Sequence, residues 1–205
     1  MSMTKKLMTL LLAMLVCMSA SAQVQFGAKV GFDLTNFWGK DNGHTMTPNY
    51  QAGLLMEYNF NSHFAVAPEV VFASQGCGKM TLYEAGWVGE GPTSTTMISY
   101  QVNYINVPVM FKYYATPTFS IDFGPQVGFN VYSKYTITGE NVIEQHACDN
   151  KDHTKAVDFG LGFGGSYYLT EKAFIQARYT LGLTKAFKNP DRKNSNIQLA
   201  FGMKF

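Results

Sequence analysis

Eight stretches of about ten residues each alternate apolar and polar side chains with a period of two, between Val24 and Phe205. The first sets Phe26, Ala28, Val30 and Phe32 against Gln25, Gly27, Lys29, Gly31 and Asp33. The fifth sets Phe119, Ile121, Phe123, Pro125, Val127, Phe129 and Val131 against Ser120, Asp122, Gly124, Gln126, Gly128 and Asn130. The last sets Ile197, Leu199, Phe201, Met203 and Phe205 against Gln198, Ala200, Gly202 and Lys204. The pattern recurs around residues 51–60, 64–73, 105–113, 157–164 and 175–184, with Leu55 the one apolar exception on the polar side of its segment. A helix cannot satisfy this period, because its faces repeat every 3.6 residues. After the first 22 residues no apolar run approaches the length of a membrane-spanning helix.

The sizes of the side chains decide which face points inward. The polar side is crowded with glycine and other small residues, while the other carries nearly all the Phe, Val, Ile and Leu. Small side chains suit the cramped interior of a narrow barrel, and bulky apolar ones suit lipid. A soluble lipocalin-like barrel has the opposite distribution. The expected fold is therefore all-β: an eight-stranded antiparallel up-and-down transmembrane β-barrel. Pro68, Pro108 and Pro125 fall inside expected strands, where the missing N–H calls for a bulge or for a position that tolerates its loss.

Connections point the same way. Asn61-Ser62, Thr116-Pro117-Thr118 and Leu169-Thr170-Glu171-Lys172 are short, whereas polar stretches near 34–49, 75–97, 135–155 and 185–195 are long. Strict alternation of short and long connections is expected when short turns face the periplasm and long loops face outside. With an even strand number, both termini then lie on the periplasmic side of a bacterial outer membrane. Aromatics gather near strand ends, among them Tyr58, Phe60, Phe64, Tyr113, Phe119 and Tyr167, as in an interfacial girdle. The chain also ends on an aromatic, Phe205, which resembles the signal read by the barrel-assembly machinery.

Residues 1–22 read as a cleaved signal peptide and residues 23–205 as the barrel domain. Lys5 and Lys6 precede an apolar run from Leu7 to Met18, and Ala20-Ser21-Ala22 forms a small-residue cleavage site. A lipoprotein signal around Cys17 is disfavoured by Val16, where a small residue is expected. Cleavage removes both n-region lysines and leaves as many basic as acidic residues (14), which argues against nucleic acid as a partner. Cys77 and Cys148 survive in a chain bound for an oxidising compartment and are expected in two different outer loops, as a candidate disulfide whose pairing stays open.

Three motifs resemble one family. Tyr104-Ile105-Asn106-Val107-Pro108-Val109-Met110-Phe111-Lys112-Tyr113 is similar to the fourth strand of the PorT-like outer membrane protein beta-barrel domain proteins of Bacteroidota. Phe26-Gly27-Ala28-Lys29-Val30-Gly31 resembles their first strand, and Phe123-Gly124-Pro125-Gln126-Val127-Gly128 their fifth. The resemblance covers essentially the whole chain after residue 22. It implies a small barrel of the OmpA/OmpX type and, since one member serves protein secretion, a link to secretion. It supplies no catalytic residues.

The inward face carries the candidate site, an interior charge network of Lys29, Asp33, Glu57, Glu69, Lys112, Asp122, Asp158, Arg178 and Lys204. Charges inside so narrow a barrel must pair or stay hydrated. A compensating network that plugs the lumen is the first expectation, and a narrow ion path or a proton-linked role is the alternative. The planar fork of Arg178 is expected to bridge two or more of Glu57, Glu69, Asp122 and Asp158. Phe37, Trp38 and Trp87 in the long connections offer either a contact surface or an anchor at the lipid interface.

His146, Cys148 and His153, with Asp149 and Asp152, match no standard zinc spacing, so no metal or cofactor is expected. His44 lacks a serine motif beside it, and no nucleophile elbow, P-loop or HExxH occurs. The expected function is a non-enzymatic outer-membrane barrel with a structural role or a loop-mediated partner. A lipid-modifying enzyme and a small porin are the alternatives.

Overall fold

In the computed structural model, residues 23–39, 46–84, 94–138, 143–144, 155–185 and 192–205 are described; 37–39, 76–84, 94–100, 134–138, 143–144 and 192 are described as backbone only. The strands are β1 (Val24–Gly39), β2 (Thr47–Asn59), β3 (Phe64–Glu84), β4 (Ser94–Thr116), β5 (Phe119–Thr138), β6 (Ile143–Glu144), β7 (Val157–Tyr168), β8 (Ala173–Gly182) and β9 (Arg192–Lys204). Every pairing is antiparallel. Neighbours in sequence pair in turn, β7 lies beside β5, and β9 returns to β1, closing a ring of eight strands. The two-residue β6 only extends the far end of β5. Closure leaves no edge strand in the wall, which a sheet in lipid requires.

Alternation sets the two faces. Phe32 is 72% exposed and Leu54 and Phe163 are each 64% exposed on the outside, whereas Lys29, Glu57 and Asp122 are buried inside. No helix among the described residues is long and apolar enough to cross a membrane, so any crossing is made by strands. Leu55 follows its strand rather than its chemistry: it points inward opposite Gly27 and is buried there. Gly202 faces Phe174 across β8 and β9, and a Cβ at that position would run into the Phe174 ring. The glycine is therefore what lets an aromatic ring lie flat against the inner wall.

Local side chains shape two of the three short turns. The Asn61 side chain accepts hydrogen bonds from the backbone N–H groups of His63 and Phe64, at 2.8 and 2.9 Å. Thr170 does the same for Lys172 and Ala173, at 3.2 and 2.9 Å. These are the local bonds that make Asn and Thr good turn residues. We call this the turn end of the barrel; β1 starts there and β9 finishes there.

At the opposite, loop end the strands run further than the sequence suggests. β3 and β4 stay paired out to Glu84 and Ser94, and β5 runs to Thr138. The stretches 34–49, 75–97, 135–155 and 185–195 are thus partly strand. Phe37, Trp38 and Cys77 lie in strands, opposite Asn194, Lys193 and Tyr100. The reason is that a register fixed in the wall propagates outward, and the Thr-, Ser- and Tyr-rich stretches there favour strand once pairing begins. A strand of 23 residues, as in β4, far exceeds the 9–11 or so needed to cross a bilayer.

The three prolines interrupt pairing without shifting register. β2–β3 pairing lapses between Leu55–Glu69 and Tyr58–Val66, around Pro68. β3–β4 pairing lapses between Pro68–Val109 and Val71–Asn106, around Pro108, and β4–β5 pairing between Pro108–Gln126 and Phe111–Phe123, around Pro125. The bulges lie elsewhere, between Cys77 and Met80, Asn103 and Tyr104, and Tyr114 and Thr116. Of the two expected accommodations, a tolerated missing donor is the one found.

Candidate functional site

The inner face of the wall gathers its charges into two clusters rather than one network around a single hub. Nearer the turn end, Glu57 of β2 is the shared acceptor. Lys204 of β9 donates to its Oε1 at 2.5 Å, and Lys112 of β4 to its Oε2 at 3.1 Å. The Tyr114 hydroxyl also donates to Oε1, and Lys112 donates to the Tyr168 hydroxyl at 2.8 Å. The Tyr168 ring packs against Phe174, with centroids 5.6 Å apart, and the Lys204 ammonium lies 4.6 Å from the Tyr168 centroid. Two cations are thus held by one carboxylate and by the faces of aromatic rings, which suits cations stripped of water.

The second cluster turns on Glu69 of β3. Arg178 of β8 grips it with both terminal nitrogens, Nη1 to Oε2 at 2.9 Å and Nη2 to Oε1 at 2.7 Å. Lys29 of β1 donates to the same Oε2 at 2.6 Å and to Gln176 Oε1 at 2.9 Å. A planar guanidinium matches a carboxylate two-for-two, and that geometry uses both oxygens of one partner. Among the described residues Arg178 therefore chelates Glu69 alone, and the expected bridging of two or more acids is not found. The residue that links outward is Gln176. Its Nε2 donates to Asp122 Oδ2 at 3.1 Å, and Asp122 is further held by Ser166 at 2.6 Å and Ser120 at 2.7 Å.

Two acids stand apart. Asp158 lies toward the loop end, where Thr184 and Asn194 donate to its two oxygens. Asp33 is fully buried, yet neither of its oxygens has a hydrogen-bond partner among the described residues. Its rung of the wall runs through Gln198 to Arg178, and nearby Thr180 Oγ1, Asn196 Oδ1 and Arg178 Nε are also unpartnered there. Each cluster carries one more cation than anion, and Asp122 and Asp33 offset that excess by charge.

Met110 lies on the inward side of its segment, as its place in the alternation implies, whereas Tyr104, Tyr114, Tyr168 and Phe174, which also pack inside with the charges, are not evident from the alternating segments. The signal was available for two of them. Tyr114 and Tyr168 each follow an outward tyrosine, so extending the alternation by one residue turns both inward. Gly162 shows how large groups fit: a Cβ there would sit 3.3 Å from Met110 Cε and 3.4 Å from Arg178 Cδ.

Trp87, Cys148, His44, His146, Asp149, Asp152 and His153 lie outside the described residues, as do the side chains of Cys77, Phe37 and Trp38. Among the described residues, no three His, Cys, Asp or Glu side chains converge as metal ligands.

A closed eight-stranded wall with an apolar outside and a charged, packed inside is the arrangement of a small outer-membrane barrel. The family described as outer membrane protein beta-barrel domain matches residues 19–188. The chain belongs to this family. Among solved structures it is similar to Ail, the attachment invasion locus protein of Yersinia pestis, at 17% identity and a TM-score of 0.50, covering 89% of this chain and 99% of that one. Neisserial surface protein A is similar at 9% identity and a TM-score of 0.49, with 90% and 98% covered. OprG from Pseudomonas aeruginosa gives 14%, 0.33, 89% and 94%. No curated protein matches the chain. Membership of the family places this barrel in an outer membrane, and the likeness to Ail is one of fold.

Proposed function

We propose that this chain is a non-enzymatic outer-membrane barrel with a closed lumen, acting through whatever its long loops contact on the cell surface. Residues 1–22 are its signal peptide. The short turns and both termini face the periplasm, and the long connections face outside. The observation that carries the reading is the packed interior. Lys29, Glu57, Glu69, Asp122 and Arg178 are each at most 4% exposed and are bonded to one another or to Lys112, Lys204, Tyr114, Gln176, Ser120 and Ser166. Such a lumen leaves no wide aqueous path of the porin kind. In the PorT-like sense the outer partner belongs to a secretion system, and Phe37, Trp38 and Trp87 are candidate contacts.

The reading predicts no stable single-channel conductance for the folded chain in planar bilayers. A steady open level would overturn the closed lumen. Orientation is tested separately with single cysteines, introduced into a Cys77→Ser, Cys148→Ser background at Gly89 or Ser62. A membrane-impermeant maleimide added to whole cells should label position 89 and spare position 62. The reverse pattern would invert the barrel. A deletion strain that exports its full set of proteins would remove the secretion link.

A further inference from the structure

The proline-broken seams beside β3 coincide with a groove in the outer wall. It encloses about 520 Å³ near the turn end and is lined by Leu54, Met56, Val70, Val107 and Phe205. Its floor is deeper than the surface of a barrel wall, because it reaches Leu55 and Glu69, which belong to the inner face. Both seams that flank β3 lapse here, β2–β3 at Pro68 and β3–β4 at Pro108. Leu55, apolar on an otherwise polar inner face, backs the opening with carbon.

We infer that this groove is a binding site for one acyl chain of a phospholipid, held in the wall rather than exchanging freely with the surrounding lipid. The groove is continuous with the lipid-facing belt, where Leu54 and Val70 are more than half exposed. Its walls are almost wholly apolar, so the contacts on offer are dispersion contacts, and a gap left unfilled forfeits them. A flexible hydrocarbon chain can follow an irregular slot of this kind. A peptide strand cannot complete the seam, because Pro68 has no N–H to offer and β3 is flanked by β2 and β4. The choice of a phospholipid rests on the orientation proposed above, which sets the turn end in the inner leaflet.

The test folds residues 23–205 into phosphatidylethanolamine–phosphatidylglycerol vesicles, transfers the protein to mild detergent and weighs it by native mass spectrometry. Wild type should retain one phospholipid mass. Val70→Trp, whose indole fills the groove, should lose it, and Leu54→Trp should do the same. Phe163→Trp, on a lipid-facing position outside the groove, should keep it. Heat-shifted gel mobility verifies that each variant is folded. A wild type without retained lipid, or a Val70→Trp that retains it as wild type does, would overturn the site. Failure of the orientation is read independently, by the cysteine labelling.

Discussion

The two acids Glu57 and Asp33 share a buried place on the inner face but stand in opposite situations. Both are buried on the inner face, on adjacent strands, each in register with alternation. Glu57 receives Lys112, Lys204 and Tyr114, whereas Asp33 receives nothing among the described residues. Their surroundings account for the difference. Near the turn end, long cationic and aromatic side chains project from β4, β7 and β9 into the space in front of Glu57. Further toward the loop end, the cross-strand neighbours of Asp33 are the uncharged Asn49 and Gln198, and Arg178, on the same rung, is committed to Glu69. Polar lining is therefore not the same thing as a polar network. A network needs side chains long enough to meet across the lumen.

The comparison breaks most visibly at Glu57. Replacing it with Ala strands two buried cations at once, and removing one partner of a buried ion pair costs about 3–5 kcal/mol. Urea titration of the protein folded in detergent should show this as a large fall in midpoint. A loss below about 1 kcal/mol would mean that the lysines find other partners and the cluster is not a unit. Arg178→Met should cost less, about 1.5–3 kcal/mol, because Glu69 keeps Lys29 while losing its two charged hydrogen bonds. Arg178→Lys should recover only part of that loss, since an ammonium cannot reproduce the two-for-two contact.

The smallest effect sharpens the contrast. Asp33→Asn keeps the shape and removes a carboxylate that accepts no hydrogen bond among the described residues. Relief of its desolvation and loss of its attraction to Lys29 and Arg178 oppose each other, so stability should change by less than about 1 kcal/mol in the same titration. A loss comparable to that of Glu57→Ala would show that Asp33 has a partner after all, and the two acids would then be alike. Running Asp33→Asn together with Arg178→Met tests whether the shared rung couples them. Additive changes would show that Asp33 acts independently of the Arg178–Glu69 pair.

Legibility in the sequence followed the range of the forces involved. The alternation at Phe119–Val131 or Ile197–Phe205 is visible in the letters because each side chain's direction is fixed by its two neighbours. The membership of the interior set, from Lys29 to Lys204, follows from the same parity. Leu55 is an exception in chemistry and not in direction, because parity alone turns it inward. Phe174 was not legible, because its place depends on Gly202 across the next strand. The strand ends at Glu84, Ser94 and Thr138 escaped because pairing continued where hydrophobic alternation had stopped.

By itself, then, the sequence determined a strand-built chain, its eight segments and which residues face the lumen, since period-two geometry is local. Only the tertiary structure decided who meets whom. Arg178 reaches Glu69 across 109 residues of chain and Lys204 reaches Glu57 across 147. Those meetings depend on the register of every pair of strands and on the tilt that closure of the ring imposes. A shift of two residues in any one seam would preserve inside and outside everywhere and still bring different charges face to face.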